Sequence, residues 1–327
     1  MHNRRPKIDV VRVGVILLLI LVAIVSLTQV VQHWVWGDDS GGQGSDTKTV
    51  IKDGVAYFPR QDITVVLVTG IDQQGKVQSS GSYNNHGAAD MVMLLIMDDA
   101  NEKYDVLYLN RDTMLTMPVL GVGGKPAGTY FGQLALSHTY GSGLEDSCEN
   151  TRQAVSDFLM GIRIDYYVSM NMDAVSILTD AVGGVTVEVE EDFSAVDPSI
   201  TMGTVTLNGA QALNYVRTRK DVGDQLNLSR IDRQQKFVDG FKEAYRQCEG
   251  SDAAFFTTTY ESVAEYLVTD CTMTTISNLC SRLGEYEFRQ VYTVEGENVK
   301  GEKYYEFYAD EEKLEDLTLQ VFYAPKK

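Results

Sequence analysis

The sequence predicts an α/β fold, a mixed central β-sheet covered by helices on both faces and preceded by one N-terminal transmembrane helix. Residues 63–69 and 91–97 are nearly continuous apolar runs rich in Val, Ile, Leu and Met, the pattern of strands buried on both faces. After the turn at residues 98–101 the chain returns through the apolar run 104–109, so those two strands pair antiparallel. From residue 133 to 189 helical and strand periodicities alternate, which marks a sheet covered on both sides.

A chain of 327 residues with 44% hydrophobic content holds one large domain, alone or with a smaller appendage. Its net charge of −18 makes it a poor partner for nucleic acid. Residues 13–31 are almost uninterrupted Val, Leu and Ile, followed by Trp34 and Trp36; that length spans a bilayer and the tryptophans fit its interface. Arg4, Arg5, Lys7 and Arg12 precede the run, which places residues 1–12 in the cytoplasm and the domain outside the cell. No small-residue cleavage site follows directly, so residues 13–36 are expected to remain as an anchor in the cell membrane. Residues 37–59 then form a flexible stalk, small and polar in its first part. The four cysteines, Cys148, Cys248, Cys271 and Cys280, lie on the exported side, where an even count permits disulfides. On one helix Cys271 and Cys280 would stand about 13 Å apart, so pairing with Cys148 or Cys248 is favoured over pairing with each other. No spacing fits a zinc site, and His2, His33, His86 and His138 are scattered.

Along the chain, charge collects at strand ends. Asp72 follows the first buried run, Asp90 precedes the second after a polar loop at 73–89, and Arg111 and Asp112 follow the third. One acid beside a strand is a turn residue; three such ends argue for a site. Residues 118–132 form a glycine-rich surface loop without a phosphate-loop signature. Helical spacing covers 133–140 and 147–160, with Gly161 as a stop. A strand at 164–170, a helix at 173–182 and an alternating strand at 184–189 follow. Beyond residue 247 the periodicity gives helices near 252–267 and 273–284, strands near 285–294 and 303–308, and a helix from 311 to about 322. These make residues 248–327 an extension packed on the domain formed by 60–247.

The stretch 215–235 carries four arginines, Arg217, Arg219, Arg230 and Arg233, in an acidic chain. Residues 208–216 read as a short helix, and an extended chain after it would point Arg217 and Arg219 the same way. Ser229 can cap a helix beginning at Arg230, with Arg230, Arg233 and Gln234 on one face near its positive end. Forked guanidinium donors from both sides would suit a diphosphate. The same arginines could instead form a solvated network with Asp221, Asp224 or Asp232.

Eight segments in order, namely 70–72, Asp90, 110–113, 164–167, 182–185, 207–213, 216–219 and 230–235, resemble the LytR-CpsA-Psr family over about residues 60 to 245. The resemblance implies a membrane-anchored transferase, chiefly of Gram-positive bacteria. Its action would be to move a glycopolymer from a polyprenyl-diphosphate carrier to a peptidoglycan hydroxyl in cell-wall biogenesis, as in teichoic acid or capsule attachment. It further implies that Asp72 and Asp90 hold Mg²⁺ (or Mn²⁺), and that Arg111, Arg217, Arg219, Arg230 and Gln234 bind diphosphate oxygens, with Arg233 beside them on the same helix. Arg111 would also act in catalysis, and Asp224 or Asp112 could deprotonate the acceptor; the sequence does not choose. The family usually has Arg where this chain has Ala88, and the segment between Asp224 and Arg230 is longer than usual. Two other readings use the same residues: a non-catalytic polyprenyl-diphosphate-binding or envelope regulatory protein, and a lipid-linked pyrophosphatase.

Overall fold

The computed structural model describes residues 49–121, 124–218, 221–223, 227–249, 261–272, 275, 278–279, 282–283 and 285–326. The anchor expected at 13–36, most of the stalk, and Arg219, Asp224 and Cys280 lie outside the described residues. Among the described residues no helix is long and apolar enough to cross a membrane.

The three apolar runs form neighbouring strands: β3 (Ile63–Ile71), β4 (Ala89–Asp98) and β5 (Lys103–Leu109). They pair antiparallel in succession, while β8 (Tyr166–Asn171) lies parallel to β3. β11 (Leu267–Thr269) pairs antiparallel with β8, and β12 (Glu287–Thr293) runs parallel to β5. The mixed six-stranded sheet has the order β11-β8-β3-β4-β5-β12. Both of its edges therefore come from the segment after residue 248, and Leu267, assigned to a helix end from its periodicity, begins an edge strand.

Successive residues of β3 belong to two cores. Val66 and Val68 pack with Leu178, Tyr215 and Phe241, whereas Val65 and Leu67 pack with Val155, Leu159 and Phe322. On the first face lie α2 (Asp173–Ala181), α3 (Gly209–Arg217) and α4 (Asn227–Glu249); on the second lie α1 (Glu145–Phe158) and α5 (Glu311–Phe322). The absence of alternation in β3 and β4 is thus explained by two apolar neighbours rather than one. α1 ends as the glycine signal indicates: Gly161 has φ +77° and its N–H donates to Ser156 O at 2.7 Å.

Four local expectations are corrected. Residues 50–59, placed in the stalk, hold β1 (Val50–Lys52) and β2 (Val55–Pro59), which form a three-stranded sheet with β15 (Tyr323–Pro325). Residues 118–132, read as a loop, belong to a hairpin of β6 (Met114–Leu120) and β7 (Pro126–Gln133). β9 (Val185–Val189) leaves the central sheet and pairs with β10 (Gly203–Leu207), and β13 (Gly296–Lys300) pairs with β14 (Tyr305–Ala309). Cys148 and Cys271 are free thiols. Cys148 and Cys271 lie in the two different cores, separated by the sheet, so they do not bridge.

Candidate active site

The topology decides which chain ends meet. β3 and β5 both run antiparallel to β4, so the C-terminal ends of β3 and β5 and the start of β4 share one end of the sheet. Asp72 follows β3, Asp90 lies at the start of β4 and Arg111 follows β5. The β3–β4 register slips here: Gly70 faces Met91 while Ile71 faces Ala89. Asp90 is the extra residue of a β-bulge, a device that re-aims a side chain.

α3 and α4 bring the arginines to the same end. Asn208 caps α3 through a reciprocal capping box with Gln211, fixing the helix that delivers Arg217 in its last turn rather than on an extended segment. Arg217 Nη2 lies 2.7 Å from Asp72 Oδ1, with both side chains partly exposed. α4 begins at Asn227, so Ser229 lies within the helix rather than capping it. Arg230 is 2% exposed and grips Asp90 twice, Nη1 to Oδ2 at 3.1 Å and Nη2 to the backbone oxygen at 3.0 Å. Arg111 donates from Nη1 to the other oxygen, Asp90 Oδ1. Both carboxylate oxygens of Asp90 are thus held by guanidinium groups.

Arg233 belongs elsewhere. It is buried, donates from Nη1 to Tyr215 O at 3.0 Å and from Nη2 to Thr218 O at 2.5 Å, and its Nε lies 2.9 Å from Glu191 Oε2. Its guanidinium carbon stands 5.3 Å from the Phe193 ring centroid. These contacts hold the C-terminal carbonyls of α3 and correct the placement of Arg233 among diphosphate ligands; residues three apart on a helix differ in azimuth by about 60°, enough for different partners. Gln234 is also buried and donates to Val216 O at 3.2 Å, which ties it to the same turn. Among the described residues, Asp232 pairs with Lys236, which also reaches Glu190.

Asp112 is 2% exposed, and its Oδ1 accepts from Gln133 Nε2 at 3.1 Å while Arg111 Nε lies 3.6 Å away. That environment suits it to orient Arg111 and the β5–β6 turn, not to take a proton from a bulky acceptor. Beside it, Asn110 is buried; its Oδ1 accepts from Asp112 N at 3.0 Å and its Nδ2 has no acceptor among the described residues. A buried amide donor without an acceptor costs about 1–3 kcal/mol, and one that directly precedes Arg111 in the chain suits an oxygen-rich anion. Sequence reasoning quoted Asn110 within a motif but gave it no role.

Among the described residues no group of three His, Cys, Asp or Glu side chains is placed to hold a metal by itself. Asp72 and Asp90 are hard oxygen donors on adjacent strand ends, the set Mg²⁺ uses when waters and phosphate oxygens complete its shell. Both oxygens of Asp90 and one of Asp72 carry guanidinium partners, so the pair fits such an ion only where a phosphate-bearing ligand takes over guanidinium groups from the carboxylates.

At the other end of the sheet, Arg289 forks onto buried Asp105, with Nε 2.9 Å from Oδ1, and Arg60 Nη2 lies 2.9 Å from buried Asp98 Oδ2. Their buried acids are matched by guanidinium partners, which makes this a structural network.

The LytR_cpsA_psr family model matches residues 39–321. The chain is 25% identical over 275 residues, 84% of its length and 82% of the relative, to polyisoprenyl-teichoic acid–peptidoglycan teichoic acid transferase TagU of Bacillus subtilis (strain 168). It is 30% identical over 199 residues, 61% of its length and 57% of the relative, to TagU of Halalkalibacterium halodurans. Among solved structures, protein gbs0355 of Streptococcus agalactiae superposes with a TM-score of 0.64 at 21% identity, covering 80% of this chain and 86% of that one. TagT bound to LI-WTA gives a TM-score of 0.60 at 20% identity, covering 87% and 97%. At these identities the structural likeness is one of fold.

Proposed function

The chain belongs to the LytR-CpsA-Psr family, and on that premise we propose that it transfers a glycopolymer from a polyprenyl-diphosphate carrier to a peptidoglycan hydroxyl outside the cell. The observation that carries the reading is the convergence of Arg111, Arg217 and Arg230 on Asp72 and Asp90 at one sheet end. The relatives named teichoic acid transferases support the choice of substrate class.

In the transfer, an acceptor hydroxyl oxygen forms a bond to the phosphorus next to the glycopolymer. The bond from that phosphorus to the bridging oxygen breaks, and polyprenyl monophosphate leaves with the electron pair. Phosphoryl transfer of this kind depends on positioning and charge neutralisation. Arg217 is the most exposed of the three arginines, and its fork turns from Asp72 to the diphosphate. Arg111 and Arg230, held by Asp90, present their remaining donors in fixed directions. Asn110 Nδ2 adds a neutral donor. Asp72 and Asp90 are the residues that would hold Mg²⁺ (or Mn²⁺), which neutralises diphosphate charge when bound. The acceptor proton goes to Asp224, since Asp112 is 2% exposed and already accepts from Gln133. Anchoring in the cell membrane through residues 13–36, with the domain outside, would keep the site near its lipid substrate.

Incubation of the full-length protein with a radiolabelled polyprenyl-diphosphate oligosaccharide, Mg²⁺ and peptidoglycan oligomers tests this. Label on peptidoglycan is the expected result. Free sugar phosphate would make the chain a pyrophosphatase, and retention of intact substrate would make it a binding or regulatory protein; either outcome overturns the transferase reading.

A further inference from the structure

The loop between Asp72 and Asp90 is fastened at one point by two buried side chains that the chemistry above leaves unused. Asn85, 3% exposed, accepts from Gly87 N at 2.7 Å through Oδ1. Its Nδ2 lies 2.8 Å from His138 O, 2.9 Å from Gly141 O and 3.1 Å from Ser147 Oγ, and its N–H donates to Thr139 O at 2.9 Å. His138, 2% exposed, places Nδ1 2.8 Å from Gly87 O. A carbonyl oxygen only accepts, so Nδ1 carries the proton. Both polar groups of the Gly87 residue are therefore clamped, one by each side chain.

The clamp sits three residues from the bulge. Ala88 O accepts from Asp72 N at 2.8 Å, Ala89 pairs with Ile71, and Asp90 follows as the extra residue. A Cβ at Gly87 would lie 2.8 Å from Ile71 Cγ2 and 3.1 Å from Asn85 Oδ1, so glycine is required there for close approach rather than for a left-handed backbone. With the Gly87 residue fixed, residues 88–90 have a single path onto β3, and the register slip falls at Asp90. Without it, the strand can regain regular pairing with β3, and each one-residue shift turns a side chain to the opposite face. Such a shift would take the Asp90 carboxylate away from Arg111 and Arg230.

We propose that Asn85 and His138 are positioning residues that fix the bulge at Asp90, and with it the spacing of Asp72, Asp90, Arg111 and Arg230 on which transfer depends. This inference rests on the functional reading above. Neither residue stands in a recognisable motif, because, apart from Asn85 Oδ1 accepting from Gly87 N, the bonds join segments more than fifty residues apart.

The test compares the wild-type full-length chain in detergent with His138→Ala, His138→Asn and Asn85→Ala. Asn places an amide N–H near the position of Nδ1, so His138→Asn is the conservative rescue. Amide hydrogen exchange is read at Asp72 and Gly87, turnover is read on a synthetic polyprenyl-diphosphate disaccharide with Mg²⁺, and thermal unfolding is followed in parallel. In His138→Ala and Asn85→Ala, protection at Asp72 and Gly87 falls at least tenfold and kcat falls at least tenfold, while protection along the β4–β5 pair holds. His138→Asn recovers both to within about threefold. Full turnover in His138→Ala overturns the inference, as does a loss that His138→Asn fails to recover while its protection is normal. Equal loss of protection throughout the sheet assigns the two residues to general stability and overturns it too. A wild-type chain inert on the probe fails the functional reading itself, and the positioning claim falls with it.

Discussion

Replacing Arg217 by Lys separates a role in substrate binding from a role in folding. In the structure Arg217 spends one donor on Asp72 at 2.7 Å, and the two side chains are 41% and 35% exposed. An ion pair that open to solvent contributes about 0–1 kcal/mol to stability, and lysine can remake its single contact. The unfolding free energy should therefore change by less than about 1 kcal/mol. Binding a diphosphate is different, because the planar fork offers two parallel donors and an ammonium group does not. Loss of one charge-assisted hydrogen bond costs about 1.5–3 kcal/mol, which is about 10- to 150-fold in kcat/KM. The assay is kcat/KM on a labelled polyprenyl-diphosphate oligosaccharide, with denaturant unfolding of the same preparations. Unchanged kcat/KM would refute the argument, and so would a stability loss as large as the activity loss, since the arginine would then be serving the fold.

The neighbouring residues should divide in the opposite way. Arg233→Lys removes the fork that holds Tyr215 O and Thr218 O and should lower the unfolding free energy by about 2–4 kcal/mol; a stable variant that fails to bind diphosphate would return Arg233 to the ligand set. Asp90→Asn keeps the size of the side chain but removes the charge facing Arg111 and Arg230, and Mg²⁺-dependent turnover should fall at least a hundredfold; full activity with unchanged Mg²⁺ dependence would remove Asp90 from the site. Burial holds the His138 imidazole down at about 4, against about 6.5 in an unfolded chain. The unfolded state thus binds the extra proton, and this contribution is complete above about pH 6.5 and is lost as the pH falls toward 4. Burial pushes Asp270 up to about 6, so its contribution has the reverse sign, present at low pH and lost as the pH rises toward 6. His138→Asn should flatten the fall in stability between pH 6.5 and 4, and Asp270→Asn should steepen it, both read from urea midpoints; unaltered slopes would contradict the two assignments.

What the sequence could disclose was whatever depended on neighbours along the chain. β3, β4 and β5 were legible because burial on both faces leaves a continuous apolar run, and Asp72, Asp90 and Arg111 were legible as charges at the ends of those runs. The helix read over residues 208–216 was legible in the same local way, and the structure adds the capping box at Asn208 that starts it. β7 was hidden because most of its residues are exposed and two are glycine, so neither alternation nor propensity marks it. Arg230 and Arg233 share a helix and a charge, and only their partners on other elements tell a site residue from a brace. The Asn85 and His138 contacts were invisible for the same reason: a polar loop and one isolated histidine carry no pattern until the fold brings them together.

The central sheet owes both of its borders, β11 and β12, to residues synthesised after the site is already complete in sequence. A chain still being synthesised would expose β8 and β5 as bare flanks, with free N–H and C=O rows, until residues 267–293 had also been made. Such flanks recruit other strands, including those of a second copy. Closure by distant segments also slows folding, since the intervening loops must be ordered first. A recombinant fragment cut at residue 247 would hold Arg111, Arg217, Arg219, Arg230 and Arg233 and still be poorly suited to purification. Folding of this protein therefore favours synthesis fast enough to deliver β11 and β12 before β8 and β5 find the wrong partner.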